Sequence, residues 1–176
     1  VMVGTGLGAR NGVLIRDAAA LEVLGRVDTV VFDKTGTLTV GRPEVTDVIA
    51  AEGEDEGDVL AAAAAAEGPS EHPLARAIVE AHEGQVATVT DFRALAGRGV
   101  ECRLDGAELL VGSAGLARER GIDLSSLDQA RERLQQEGKT VSVVARDGAG
   151  IGLVGLRDTL KSGARQVMAT LQAEGL

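Results

Sequence analysis

The chain has 176 residues, 18 Lys plus Arg against 27 Asp plus Glu, and a formal net charge of −9. Trp and Tyr are absent and Phe occurs twice, so there is neither the basic stripe nor the aromatic platforms of a nucleic-acid surface. The core must be built from Val, Leu, Ile and Ala, and any bound phosphate must be held by local Lys, backbone N–H groups or a metal ion.

Residues 1–28 carry Gly4, Gly6, Gly8 and Gly12, then a periodic apolar set, Leu14, Ile15, Ala18, Leu21 and Leu24, and read as a connector into a short helix. Thr29-Val30-Val31-Phe32 is a short apolar run that suits a strand buried on both faces, with Asp33 at its carboxyl end. Glu44–Ile49 alternates as a strand does. Asp58 is expected to cap a helix running through Ala66, closed by Glu67 and Gly68, and Ser70 a second one with Leu74, Ala77, Ile78 and Ala81 on one face.

Val86–Val89, Val100–Leu104 and Glu108–Val111 read as strands, the last two joined by a hairpin at Asp105-Gly106. Leu124–Gln136 reads as a helix, Thr140–Ala145 and Ile151–Leu156 as strands around Asp147-Gly148, and Thr159–Glu174 as a final helix. This order implies an α/β domain, interrupted by an α+β insertion with antiparallel strands, whose last strand would pair back with Thr29–Phe32. One or two strands cannot complete a doubly wound sheet, so the α/β domain is expected to be cut at both ends.

Cys102 is the single cysteine, which excludes a disulfide framework and fits a reducing compartment. No run approaches the roughly 20 apolar residues of a membrane helix, so the piece reads as soluble.

Asp33-Lys34-Thr35-Gly36-Thr37-Leu38-Thr39 follows the apolar run directly. A carboxylate there can attack a phosphoryl group and form an acyl phosphate, provided a cation and N–H donors offset the charge on the phosphate oxygens. Lys34 and Mg²⁺ are the cations, Gly36 admits close backbone approach, and Thr35 or Thr37 can offer a carbonyl, an N–H or a hydroxyl.

This heptad resembles the phosphorylation signature of P-type ATPases. Ser70-Glu71-His72-Pro73-Leu74-Ala75 is similar to the Ser-Glu-His-Pro element of the heavy-metal-transporting subfamily. Gly97-Arg98-Gly99-Val100 resembles its Gly-x-Gly nucleotide loop, and Glu67 matches its adenine-contacting Glu. Gly12–Arg16 with Ala20–Glu22 resembles the link from the membrane part, most closely that of copper exporters. The resemblance implies a partial haloacid-dehalogenase-like, Rossmann-like phosphorylation domain at 29–42 and 154–176, a nucleotide-binding domain at 43–153 and a connector at 1–28.

It further implies Asp33, Lys34 and Thr35 as catalytic residues, Asp33 and Thr35 at Mg²⁺, and Glu67, His72, Gly97, Gly99 and Val100 at ATP. The implied partners are a transported cation, Cu⁺, and the actuator and membrane domains of one full-length chain at the cytoplasmic face of the cell's inner membrane. The family continues with a Thr-Gly-Asp element, a phosphate-binding Lys and a Gly-Asp-Gly segment that have no counterpart before Leu176. The isolated piece is therefore expected to bind ATP weakly and not to turn it over.

Two other classes stand beside this reading. A soluble haloacid-dehalogenase-type phosphatase shares the attacking Asp but carries a second Asp two residues later, where this chain has Thr35. A silent nucleotide-binding regulator would need no phosphorylation at all. Within the family, His72-Pro73 argues against a potassium pump, while zinc, cadmium and cobalt remain alternatives to copper.

Overall fold

The computed structural model describes every residue except 1, 15, 18 and 20–22, and the side chains of residues 2, 3, 34 and 35 likewise lie outside the description. The expected helical face at Ile15, Ala18 and Leu21, and the resemblance at Ala20–Glu22, therefore fall outside the described residues. The chain divides into two compact units, residues 39–160 and residues 1–38 together with 161–176.

The 39–160 unit is a six-stranded antiparallel sheet with helices on both faces. In chain order it contains β1 (Thr39–Ala50), α2 (Glu56–Glu67), α3 (Pro73–Ala81), β2 (Thr90–Leu95), β3 (Gly99–Leu104), β4 (Ala107–Gly112), α4 (Ala114–Glu119), α5 (Asp128–Gln136), β5 (Thr140–Arg146) and β6 (Ala149–Leu160). The strand order is β1-β6-β5-β4-β3-β2. The hairpins turn where expected, at Asp105-Gly106 with φ 50° and 90° and at Asp147-Gly148 with φ 49° and 80°. Two consecutive positive φ values match the right-handed twist of the flanking strands.

Period-two alternation assigns the two faces. Leu109, Val111, Val144 and Val154 pack with Val59, Ala62, Ala63 and Ile78 of α2 and α3. Their neighbours Leu110, Val143, Ala145 and Leu153 pack instead with Leu116 and Ala117 of α4 and with Ile122, Leu124 and Leu127. The alanine run lets α2 lie close to the sheet: a Cβ on Gly152 would sit 2.8 Å from both Val59 methyls and 2.5 Å from the Ile49 carbonyl oxygen.

The unit begins and ends on adjacent strands, with Thr39 opposite Leu160. Asp158 fastens that junction, one carboxylate oxygen accepting from the Thr39 hydroxyl and the other from the Gly41 and Arg42 amides, each at 3.1 Å. The boundaries expected at Pro43 and Leu153 thus fall inside β1 and β6.

Several local expectations are corrected. Asp55, not Asp58, caps α2, accepting from the Gly57 and Asp58 amides. His72, not Ser70, caps α3. Val86–Val89 is not a strand; the strand lies at 90–95, where residues pair with β3. The helix expected from Leu124 starts at Asp128, and the one expected from Thr159 starts at Ala164 because β6 continues to Leu160.

The second unit contains α1 (Met2–Arg10), a π-helical turn at Lys34–Leu38 and α6 (Ala164–Ala173). Thr29–Phe32 is not a strand, and Val31 is 90% exposed. A strand exists only where a neighbour completes its ladder, and among the described residues none does so for this segment. β6, expected to return to it, pairs antiparallel with β1.

Candidate functional site

In the 39–160 unit, Glu67 ends α2 and is 8% exposed. Burial pushes its carboxyl above the ordinary value, and a hydrogen bond with the Ser70 side chain opposes this. The chain then turns, with the Ser70 amide on the Glu67 carbonyl at 2.9 Å. Pro73 begins α3, and the imidazole Nδ1 of His72 accepts the Leu74 amide at 3.2 Å. The ring itself is exposed.

The glycines of the Gly97–Val100 loop serve two different needs. Gly97 has φ +69° and open space around a would-be Cβ. Gly99 has φ +145°, and a Cβ there would lie 2.2 Å from the Val111 carbonyl oxygen. Between them, the Arg98 amide donates to the Leu95 carbonyl and the Arg98 carbonyl accepts the Ser113 amide, at 2.9 and 2.8 Å. The Arg98 guanidinium pairs with Glu119 of α4. Val100 is 4% exposed and belongs to the core, which leaves its main chain as the part able to meet a ligand.

Cys102 links these elements. Its thiol is pushed up to about 11, first by burial and then by the nearby charge of Glu67. The end of α2 therefore lies against β3, the strand that the glycine loop opens. His72 follows on the connection from α2 to α3. Two further residues shape this loop: Gly112, whose Cβ would sit 2.4 Å from the Arg98 carbonyl oxygen, and Ser113, whose hydroxyl caps α4 by accepting the Leu116 amide at 3.2 Å. The signal for both was a Gly followed by a capping Ser just before an apolar-periodic segment.

In the other unit the Asp33 carboxylate is exposed at the start of the π-helical turn, and Gly36 within it has φ +76°. The side chains of Lys34 and Thr35 lie outside the described residues. Lys161 was not anticipated: its amide donates to the Leu38 carbonyl at 2.9 Å and its ammonium to the Gly36 carbonyl at 2.6 Å. Among the described residues no cluster of three or more His, Cys, Asp or Glu could hold a metal ion. A Mg²⁺ that arrives with phosphates takes only one or two protein carboxylates, and the exposed Asp33 suits that donor set.

A cavity of about 470 Å³ lies elsewhere on the sheet, lined by Arg93, Arg103 and Arg120 over Leu110, Ile122 and Ala145. Arg103 is paired with Glu108 and Arg120 with Glu101. Cys102 also lines the cavity, but Asp33, Glu67, His72, Gly97, Gly99 and Val100 do not, so volume and chemistry point to different places, and the chemistry is the better guide.

The family model of haloacid dehalogenase-like hydrolases matches residues 27–176. The "Copper-exporting P-type ATPase" of Staphylococcus haemolyticus is 40% identical over 176 residues, covering 98% of this chain and 22% of that protein. The chain thus spans less than a quarter of that relative's length. The structure of a zinc-transporting PIB-type ATPase in its E2·Pi state aligns with a TM-score of 0.69 at 39% identity, over 99% of this chain and 29% of that one. The N-domain of HMA8, a copper-transporting P-type ATPase, aligns with a TM-score of 0.53 at 31% identity, over 63% of this chain and 97% of that one. Among the described residues no helix is long and apolar enough to cross a membrane.

Proposed function

Because the chain belongs to the haloacid dehalogenase-like hydrolases, in their heavy-metal P-type ATPase branch, we propose that it is the ATP-binding and aspartyl-phosphorylation region of a metal-exporting ATPase. The 39–160 unit is the nucleotide-binding domain. Glu67 accepts from the adenine amino group, and the His72 ring stacks on the purine. Gly97 and Gly99 let the main chain at Val100 approach the nucleotide without side chains in the way.

Asp33 is the phosphoryl acceptor. A carboxylate oxygen attacks the γ-phosphorus, the bond to the β,γ-bridging oxygen breaks, and ADP leaves with that electron pair. The ionised carboxylate needs no base. Asp33 and Thr35 would hold Mg²⁺, which when bound neutralises the phosphate oxygens, and Lys34 supplies a further positive charge. Thr35 stands where a self-hydrolysing relative would place an acid, so the acyl phosphate persists long enough to be coupled to cation movement. The cargo is Cu⁺, in keeping with the names of the curated relatives, with Zn²⁺ a second reading favoured by the 39% identity to a zinc transporter. The partners are the actuator and membrane domains of the full-length protein, with this region on the cytoplasmic face.

The observation that carries the proposal is the Asp33–Thr39 heptad, opening on an exposed carboxylate and running through a turn with Gly36 at positive φ. The test is labelling of the complete protein with γ-phosphate-labelled ATP. Hydroxylamine-sensitive label, absent from Asp33→Asn, is expected; label that survives Asp33→Asn would overturn the assignment.

A further inference from the structure

We propose that Lys161 is a positioning residue for the loop that carries Asp33. This rests on Asp33 being the phosphoryl acceptor and adds a residue to that site. Lys161 follows β6 directly and makes two bonds to one turn, its amide to the Leu38 carbonyl at 2.9 Å and its ammonium to the Gly36 carbonyl at 2.6 Å. Carbonyls toward the end of a helical turn carry its negative pole, which a cation offsets.

The consequence lies in direction. A peptide plane fixed at its carbonyl is fixed at its N–H, so holding the carbonyls of Gly36 and Leu38 orients the amides of Thr37 and Thr39, the next donors along the loop. Donors held in place before reaction do not have to reorganise as charge develops on a phosphoryl group. Lys161 also sets a fixed positive charge on the acceptor loop of a chain whose net charge is −9. It stands 125 residues from Gly36 in sequence, with the whole inserted unit between them in the chain.

The test compares Lys161→Met and Lys161→Arg in the complete protein. Acyl phosphate is formed from inorganic phosphate in one arm and from ATP in the other, and ATP affinity is measured in parallel. Loss of a charge-assisted hydrogen bond predicts that Lys161→Met needs roughly tenfold more inorganic phosphate for half-maximal phosphorylation. Lys161→Arg should recover most of that loss, and both should bind ATP as the parent does. Hydrogen exchange on the 176-residue chain should show faster exchange at residues 37–39 in Lys161→Met, with residues 99–112 unchanged. Wild-type phosphate dependence in Lys161→Met, or an equal loss in Lys161→Arg, would overturn the inference. Label surviving Asp33→Asn would instead remove the acceptor assignment beneath it.

Discussion

Gly99 stands opposite Gly112 in the β3–β4 ladder, and neither position can carry a side chain. A Cβ on Gly99 would lie 2.2 Å from the Val111 carbonyl oxygen, and one on Gly112 would lie 2.9 Å from the Gly99 Cα. The two strands approach closely there, beside the loop that bears Gly97. Gly99→Ala should therefore cost about 3 kcal/mol, from overpacking and an unfavourable φ together. Gly97→Ala, with open space and φ alone against it, should cost about 1 kcal/mol. Urea midpoints of the two variants should fall in that order.

Lys139 is 9% exposed at its side chain and sits between Asp47 at 2.7 Å and Glu137 at 2.6 Å. Its hydrogen bond, followed by that of Thr46, holds the Asp47 carboxyl below the ordinary 3.8. A carboxyl lowered in the folded state contributes stability that is present above 3.8 and is lost as pH falls through the folded value. Lys139→Met should lower stability at neutral pH, since the Asp47 carboxylate loses the partner that favours its charged form. The gap from wild type should narrow as Asp47 protonates, which denaturation curves from pH 7 down to pH 2 would register.

Cys102, pushed up to about 11 from an ordinary 9.0, should be a poor nucleophile. Two pH units reduce the thiolate fraction about 100-fold, before any loss of access is counted. Modification by a thiol reagent at pH 8 should be at least that much slower in the folded chain than in urea. Glu67→Gln should speed it, because the carboxylate charge opposes the thiolate.

Glu67 titrates in the opposite sense to Asp47. Burial raises its carboxyl from an ordinary 4.5, so its stabilising contribution is full below 4.5 and lost as pH rises through the folded value. Glu67→Gln should leave stability unchanged near pH 4 and raise it near pH 8, read as a difference in Tm. The same variant should weaken ATP binding, which would identify the buried charge as a cost kept for the ligand.

Features set by a few neighbouring residues were legible in the sequence. Asp105-Gly106 and Asp147-Gly148 carry their turn chemistry within two positions, and the alternation of Leu109, Leu110 and Val111 names both faces of the sheet. Asp33, Glu67, His72 and the glycine loop stood out through a resemblance of short motifs. Features that depend on distant partners were hidden. Thr29–Phe32 has a strand's composition and, among the described residues, no ladder neighbour. Asp158 lies 119 residues from Thr39, and Lys161 lies 125 from Gly36, so nothing local marks either. The helix starts were displaced because Asp55 and Asp58 are equally good caps by composition, and because Pro73 fixes the first turn behind His72 rather than Ser70.

The most direct test of the nucleotide reading is calorimetric titration of the 176-residue chain with ATP, repeated for His72→Ala and Glu67→Ala with folding checked by circular dichroism. The account predicts saturable binding by the parent and an affinity at least about tenfold lower in each variant, the loss expected when a purine contact is removed. No binding by the folded parent, or equal affinity in all three proteins, would contradict it.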